Sequence, residues 1–237
     1  MVTLTYQERF RTENGVFDNT TERNLFELQS RRYFDQLIGP YEVGKESNVF
    51  LAEKNSKKII VKIYRVQNCD FKRMFNYIRK DPRYDFLKNK RREIIYAWTQ
   101  REYKNLYRAQ EAQINSPRPI VWRANIILEE MIGTDQPAPR LKDQPPRNPA
   151  KFFQEVLKNI EKLYRSGMIH GDLSAFNILN FKEKPYFIDF SQATLVKTPN
   201  SLELLERDLR NVVHFFKGLG IKADSEEIFK KLTQDKE

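Results

Sequence analysis

Three oxygen-bearing side chains between Met168 and Ser191, in the stretch MIHGDLSAFNILNFKEKPYFIDFS, have the types and spacing of a phosphate-handling site. Asp172 and Asn177 lie five residues apart in a polar loop, and Asp189 follows a later apolar run. The runs Ile178-Leu179 and Tyr186-Phe187-Ile188 read as short strands around a charged turn at Lys182 to Pro185. A hairpin so built brings Asp172, Asn177 and Asp189 to one end of a small sheet. Mg²⁺ takes hard oxygen ligands, usually one or two carboxylates together with substrate phosphates. A further carboxylate can hold or deprotonate an attacking hydroxyl or water. The structural alternative is a surface hairpin with incidental acids.

Upstream elements would have to present a nucleotide to these groups. Tyr41 to Ala52 reads as two short strands flanking a turn, Gly44-Lys45-Glu46-Ser47-Asn48. Such a turn can cover phosphates with backbone N–H groups and the Ser47 hydroxyl, although it is no Walker A loop. As an isolated hairpin it is equally a structural element. Lys57 to Tyr64, KKIIVKIY, reads as a strand that sets Lys62 among apolar residues, where an ammonium needs an acidic partner or a phosphate. A surface lysine at a strand edge is the plainer reading. Thr21 to Ile38 spaces its apolar residues as an amphipathic helix stopped by Gly39-Pro40. Arg91 to Ala112 reads as one long helix, on which Glu93, Glu102 and Glu111 are candidate partners for Lys62. Between them, Arg65 to Arg92 interleaves basic residues with Phe71, Phe75, Tyr77, Tyr84 and Phe86. That pattern suits RNA binding by charge and stacking, or a satellite core over the first lobe. Short strands follow at Ile120 to Trp122 and Asn125 to Leu128. Five of the eleven prolines then mark Gln136 to Pro149 as loop, ahead of a helix at Ala150 to Arg165. Two more helices are expected, at Leu202 to Leu219 and Ser225 to Leu232.

Composition sets the outer limits. The 237 residues suffice for one domain or two small lobes, with 40% apolar and 31% charged residues. No apolar run reaches the roughly 18 residues of a membrane span, and the charged start MVTLTYQERFRTENG is unlike a signal peptide. One cysteine, Cys69, allows no intrachain disulfide and points to a reducing cytoplasm. With two histidines beside it, a zinc site is not expected. The net charge of +10 favours a polyanionic partner, with a merely basic soluble surface as the alternative.

The order of Asp172, Asn177 and Asp189-Phe190 resembles the catalytic and metal-binding loops of protein kinases, HRDxxxxN followed by DFG. Gly171 stands where those enzymes carry Arg, and Ser191 where they carry Gly. HGDLSxxN followed by IDFSQA resembles the RIO family of atypical kinases. Its phosphate loop, STGKExxV(Y/F)xA, is matched at Gly44, Lys45, Glu46, Val49, Phe50 and Ala52, with Glu42-Val43 in place of Ser-Thr. The helix pattern W-x-x-(K/R)-E-(F/Y)-x-N-L selects Glu102, and FKRM…YI…DPRYDF is similar to the type-one subfamily. A type-two member would need a winged-helix domain ahead of the phosphate loop.

The resemblance implies an α+β fold: a trimmed, bilobal protein-kinase-like fold with an extra N-terminal helix, lacking the activation segment and the distal large-lobe helices. Its parts would be an N-terminal helical extension over residues 1–40, an N-lobe over 41–133 and a C-lobe over 134–237. It implies an autophosphorylating serine/threonine kinase or ATPase that uses ATP and Mg²⁺, or Mn²⁺. Lys62 would bind phosphates and Glu102 orient it, with Lys45 and Ser47 over the phosphates. Asn177 and Asp189 would hold the metal, Asp172 would orient the nucleophile, and Asp189 would itself accept phosphate. Glu130, Met131 and Ile132 would form the hinge that meets adenine, and Asp208 in ERDLRN would support the catalytic loop. The implied setting is cytoplasmic maturation of the small ribosomal subunit, with the precursor particle or its rRNA as partner and a monomer favoured. HGDL…N…IDF alone also fits aminoglycoside-type phosphotransferases. A catalytically idle RNA-binding scaffold would share the charge but not the full set of catalytic residues.

Overall fold

The computed structural model describes residues 17–66 and 69–234. The charged N-terminal stretch compared above with a signal peptide lies outside them. The described residues fall into two compact units. The first runs to Ile78 and adds Phe86–Gln100 and Pro119–Glu130; the second comprises Arg79–Asp85, Arg101–Arg118 and the chain from Met131 onward.

The first unit is built on a five-stranded antiparallel sheet. Its strands are β1 (Gln36–Val43), β2 (Ser47–Lys54), β3 (Lys57–Tyr64), β4 (Pro119–Arg123) and β5 (Ile126–Glu130), in the order β1-β2-β3-β5-β4. Asn55 and Ser56, both with positive φ, close the β2–β3 hairpin with the twist that such two-residue turns favour. Phe50, Ala52, Val61, Ile63, Ile126 and Leu128 share one buried cluster with Leu25 and Leu28 of helix α1 (Asn19–Ser30). Asp18 caps α1, accepting from the Thr21 backbone N–H and hydroxyl, each at 2.8 Å.

The expected helix from Thr21 to Ile38 stops early, at Ser30. Arg32 turns left-handed at φ 59°, and the Tyr33 N–H returns to the Leu28 carbonyl at 3.0 Å, closing the last turn. Leu37, spaced as a helical residue, instead buries in β1 opposite Ala52. Gly39 and Pro40 stop no helix; they flank register shifts in this edge strand, where a missing proline N–H is tolerated.

The segment after β3 contains a short helix, α2 (Phe71–Ile78), before the long α3 (Arg91–Glu111). Met74 and Ile78 are buried, and Tyr77 meets Trp98 edge-on at 5.8 Å, while Phe86 stays 77% exposed. Most of these apolar groups thus serve packing.

The second unit packs α4 (Pro149–Arg165) against α5 (Ser201–Gly218). Phe152 and Phe153 lie 6.2 and 5.0 Å from Phe216, within a cluster that includes Ile160, Val213 and Leu106 of α3. Asn148 caps α4 by accepting from the Lys151 N–H at 3.0 Å, with Pro149 at its first position. Two short ribbons rest on this core. One is β6 (Met168–Ile169) paired with β9 (Thr194–Leu195); the other is β7 (Ile178–Phe181) paired with β8 (Lys184–Phe187). The β7–β8 turn is narrower than the sequence suggests. Lys182 and Glu183 alone form it, both at positive φ, and Pro185 belongs to β8 opposite Asn180. A last helix, α6 (Ser225–Gln234), packs through Ile228, Phe229 and Leu232. Among the described residues no helix is long and apolar enough to cross a membrane.

Candidate active site

In the second unit, the register of the β7–β8 ribbon decides where the three oxygen-bearing residues meet. β7 and β8 run antiparallel with Ile178 opposite Phe187, which sets Asn177 beside Ile188. The Ile188 N–H donates to the Asn177 carbonyl at 3.0 Å. From the other side, the Asn177 amide donates to the Asp172 carbonyl at 2.8 Å and reaches its carboxylate at 3.4 Å. The amide NH₂ is therefore turned inward on Asp172, which leaves Oδ1 as the acceptor end of Asn177. Along the loop, Leu173 and Ala175 are buried whereas Asp172, Ser174, Phe176 and Asn177 are not. This alternation seats the loop by Leu173 and Ala175 and presents Asp172, Ser174 and Asn177, together with the exposed Phe176 ring.

Asp189 completes the group at the end of β8. Its backbone is left-handed, φ 61° and ψ 69°, and its carboxylate caps the short 3₁₀ turn Phe190–Gln192 by accepting from the Ser191 N–H at 3.4 Å. A non-glycine residue held in this region is strained, and such strain concentrates at functional sites. Gln192, which the sequence did not single out, donates to the Asp172 carboxylate at 3.0 Å.

The donor set is two carboxylates and one amide oxygen on partly exposed residues. These are hard ligands of the kind Mg²⁺ takes with phosphates, so the residues present fit a magnesium-bound phosphate chain.

Buried groups hold this loop from behind. His170 Nε2 lies 3.1 Å from the Ile188 carbonyl, an acceptor only, so that nitrogen carries the proton. The ring packs 4.8 Å from Phe190 and 6.1 Å from Phe187, as a structural histidine would. Asp208 of α5 is 1% exposed and accepts from the Gly171 and Leu173 N–H groups at 2.7 and 2.8 Å. It thus clamps the residues on both sides of Asp172. Arg207 donates to the Gly171 carbonyl, and Asn211 to that of Leu173 at 3.3 Å. Gly171 has φ 76°, a conformation that disfavours the arginine found there in ordinary kinases.

The first unit holds the remaining predicted residues. The Gly44 N–H donates to the Ser47 carbonyl at 2.9 Å, closing a tight turn over Lys45 and Glu46. A Cβ on Gly44 would sit 2.7 Å from that carbonyl oxygen, so the turn requires glycine. Buried Asn48 and half-buried Arg65, neither of them given a site role by the sequence, lock it. Arg65 donates to Asn48 Oδ1 at 3.0 Å, and its N–H to the Glu46 carbonyl at 2.9 Å. Val49 pairs with Lys62 across β2 and β3. Lys62 is 6% exposed, with its ammonium 5.2 Å from the centre of the Tyr64 ring. Glu130 ends β5 and is exposed.

Met131 and Ile132 belong to the second unit and are buried, as is Glu102. Of the three helix glutamates considered, Glu93 pairs with Lys90 at the surface and Glu111 is exposed. Glu102 alone has the burial that demands a counter-charge.

Burial pushes the Asp208 carboxyl up to about 7, although two backbone N–H donors and Arg207 pull it down. A carboxyl raised in the folded state holds its proton there where the unfolded chain has lost it. Its contribution to stability is therefore complete below about pH 4 and is lost as pH rises through about 7. The urea midpoint of the parent should fall over that window, and Asp208→Asn should flatten the slope. Asp208→Asn should also cost about 1–3 kcal/mol, because one N–H of the loop then faces an amide NH₂. Parallel slopes for the two proteins would show that another group sets the pH dependence.

A sequence profile of the RIO domain matches residues 48–228. The RIO-type serine/threonine-protein kinase Rio1 of Methanocaldococcus jannaschii is 39% identical over 230 residues, covering 96% of this chain and 79% of that protein. Its Haloferax volcanii counterpart is 35% identical with the same coverage. Among solved structures, the Chaetomium thermophilum Rio2 kinase in an ADP/Mg²⁺-phosphoaspartate complex superposes with a TM-score of 0.69 at 21% identity. That match covers 87% of this chain and 64% of the other, and it shows the α+β protein-kinase-like fold. With a profile over most of its length and archaeal relatives along nearly all of it, this chain belongs to the RIO family, as a serine/threonine protein kinase of the Rio1 type.

Proposed function

We propose that this kinase transfers the γ-phosphoryl group of ATP with Mg²⁺ at the Asp172–Asn177–Asp189 cluster, and that Asp189 can accept the group itself. The observation that carries this is the arrangement of Asn177. Its NH₂ is held by Asp172, so that its oxygen and the Asp189 carboxylate are the hard donors at the mouth of the hairpin. Asn177 and Asp189 would hold Mg²⁺, which when bound neutralises phosphate charge. The related Rio2 complex with ADP, Mg²⁺ and phosphoaspartate is consistent with both parts of the reading.

Phosphoryl transfer depends mainly on positioning and charge stabilisation. Lys62 contributes a buried ammonium for the phosphates, and Glu102 orients it. Gly44 to Val49 would cover the phosphate chain, with the Lys45 and Ser47 side chains over the phosphates. Glu130, Met131 and Ile132 border the adenine. Asp172, held by Gln192 and Asn177, orients a nucleophile. In self-transfer, an Asp189 oxygen attacks the γ-phosphorus, the bond to the β-phosphate oxygen breaks, and ADP leaves. Water then attacks the acyl phosphate, releasing inorganic phosphate and restoring the carboxylate.

The net charge of +10 supports a phosphate-rich partner, and the pre-small-subunit ribosomal particle or its rRNA is the proposed one, met in the cytoplasm by a monomer.

Lys62→Ala should lower turnover about 10²–10³-fold, the usual effect of removing one charge-stabilising donor. Asp172→Ala should lower it about 10²–10⁴-fold with nucleotide affinity nearly unchanged. Steady-state kinetics beside ATP titration calorimetry separates the two, and parent-rate turnover by Asp172→Ala would remove its assigned role. For the acceptor, the protein is incubated with γ-labelled ATP, quenched and treated with hydroxylamine, which cleaves acyl phosphates and spares phosphoserine and phosphothreonine. Label lost on treatment and mapped to the Asp189 peptide is expected. Resistant label on Ser or Thr would leave Asp189 as a metal ligand only. Precursor particles of the small subunit should raise ATP turnover; an unchanged rate with saturating particles would argue against that partner.

A further inference from the structure

The turn that follows Asp189 is held by side chains that none of the roles above employs. Three of its carbonyls are engaged from a single helix. Asn105 Nδ2 donates to the carbonyls of Phe190 and Ala193 at 3.0 and 2.7 Å, and Arg101 Nη1 donates to that of Ser191 at 2.8 Å. Arg101 and Asn105 are one helical turn apart on α3, so both face the same side. All of these atoms lie in the second unit.

A guanidinium with no solvent exposure needs a counter-charge, and Asp81 supplies it. Arg101 Nε lies 3.2 Å from Asp81 Oδ2, and neither side chain is exposed. Arg83 donates to both oxygens of Asp81, at 2.6 to 3.1 Å, and its Nη2 also donates to Asn105 Oδ1 at 3.1 Å. The last bond decides the orientation of Asn105. With its oxygen occupied by Arg83, the amide must point its NH₂ at the carbonyls of the Asp189 turn. Burial alone would raise the Asp81 carboxyl, but Arg83 and Arg101 hold it below its usual range, so it remains the anion the network requires.

We infer that Asp81, Arg83, Arg101 and Asn105 form a positioning network for the metal-binding turn, holding Asp189 in the left-handed conformation that presents its carboxylate. The inference rests on the reading of Asp189 as a metal ligand. None of the four is a catalytic residue; they act through the backbone of residues 190–193. The segment around Asp81, whose basic and aromatic content suggested an RNA surface, has this internal role at its centre. An intrinsically unfavourable backbone conformation persists only where its surroundings over-determine it, and three fixed carbonyls within four residues do so. Partners that orient a metal ligand typically affect metal affinity by about 10–100-fold.

The test measures Mn²⁺ binding to the full chain in the presence of ADP by electron paramagnetic resonance, with thermal melting recorded in parallel. The proteins compared are the parent, Asp189→Asn, Asn105→Ala and Asp81→Asn. Asp189→Asn should lose most Mn²⁺ binding. Asn105→Ala removes donors without stranding a charge, and should weaken Mn²⁺ binding about tenfold or more while still melting cooperatively. Asp81→Asn, which leaves two arginines short of an anion, should weaken it similarly. Should that variant not fold, Asn105→Ala decides alone. Parent-like Mn²⁺ binding by Asn105→Ala, with binding lost in Asp189→Asn, would overturn the positioning role and leave the metal assignment standing. Parent-like binding by Asp189→Asn would overturn the metal assignment and the network's role together.

Discussion

The loop that carries Asp172 depends on one buried carboxylate. Asp208 accepts the N–H groups of Gly171 and Leu173 and so fixes the backbone on both sides of Asp172. A short loop between two ribbons has few ladder bonds of its own, and its buried N–H groups must find acceptors elsewhere. The acceptor comes from α5, a helix anchored by Leu209, Val212, Val213 and Phe216 in the main core of the second unit. The position of Asp172 is in this way tied to the packing of aromatic rings at some remove from it. Asn177 and Gln192 then act on the Asp172 side chain and carbonyl, within a loop whose path is already set.

Buried and exposed charges behave differently in this molecule. Arg165–Glu161, Arg210–Glu206 and Lys158–Glu155 lie along helix surfaces and follow the i,i+3 or i,i+4 rule. Such pairs are worth a few tenths of a kcal/mol each and are screened by salt. Asp81 and Arg101 have no exposed side-chain surface, and replacing them with a packed apolar pair would in general be no less stable. Their arrangement is better explained by direction than by stability. A guanidinium delivers two hydrogen bonds at fixed angles, one to Asp81 and one to the Ser191 carbonyl, which an apolar side chain cannot do.

Much of the site was legible because its residues are close in sequence. The spacing from Asp172 to Asn177 to Asp189 encodes a loop and a hairpin, and local patterning suffices to bring them together. β3 was legible for the same reason, as a continuous apolar run between turn residues. Long-range partners were not. Nothing near Gln192, Arg207 or Asp81 announces a contact with a residue many positions away, since a single polar side chain looks alike whether it meets solvent or a buried carbonyl. The helix drawn to Ile38 failed on a different point. Leu37 and Ile38 fit a 3.6-residue period by chance, and the left-handed turn at Arg32 carries no glycine or asparagine to mark it.

Two left-handed residues bracket the site, and their identities differ for a physical reason. Gly171, at φ 76°, contributes only backbone, so the residue that adopts this conformation at least cost can occupy it. Asp189, at φ 61°, cannot be glycine if its carboxylate is needed, and its side chain makes the conformation less favourable by about 1–3 kcal/mol. That cost has to be met by contacts. The carboxylate bond to the Ser191 N–H is long, at 3.4 Å, and is too weak to meet it alone. The bonds from Asn105 and Arg101 to the next carbonyls are short, at 2.7 to 3.0 Å, and are shielded from water. In the described structure the strain at Asp189 is thus balanced from α3, one residue away from Glu102 at Arg101. The helix that carries Glu102 also carries, within one turn of it, the groups that fix the backbone beside Asp189, the proposed metal ligand.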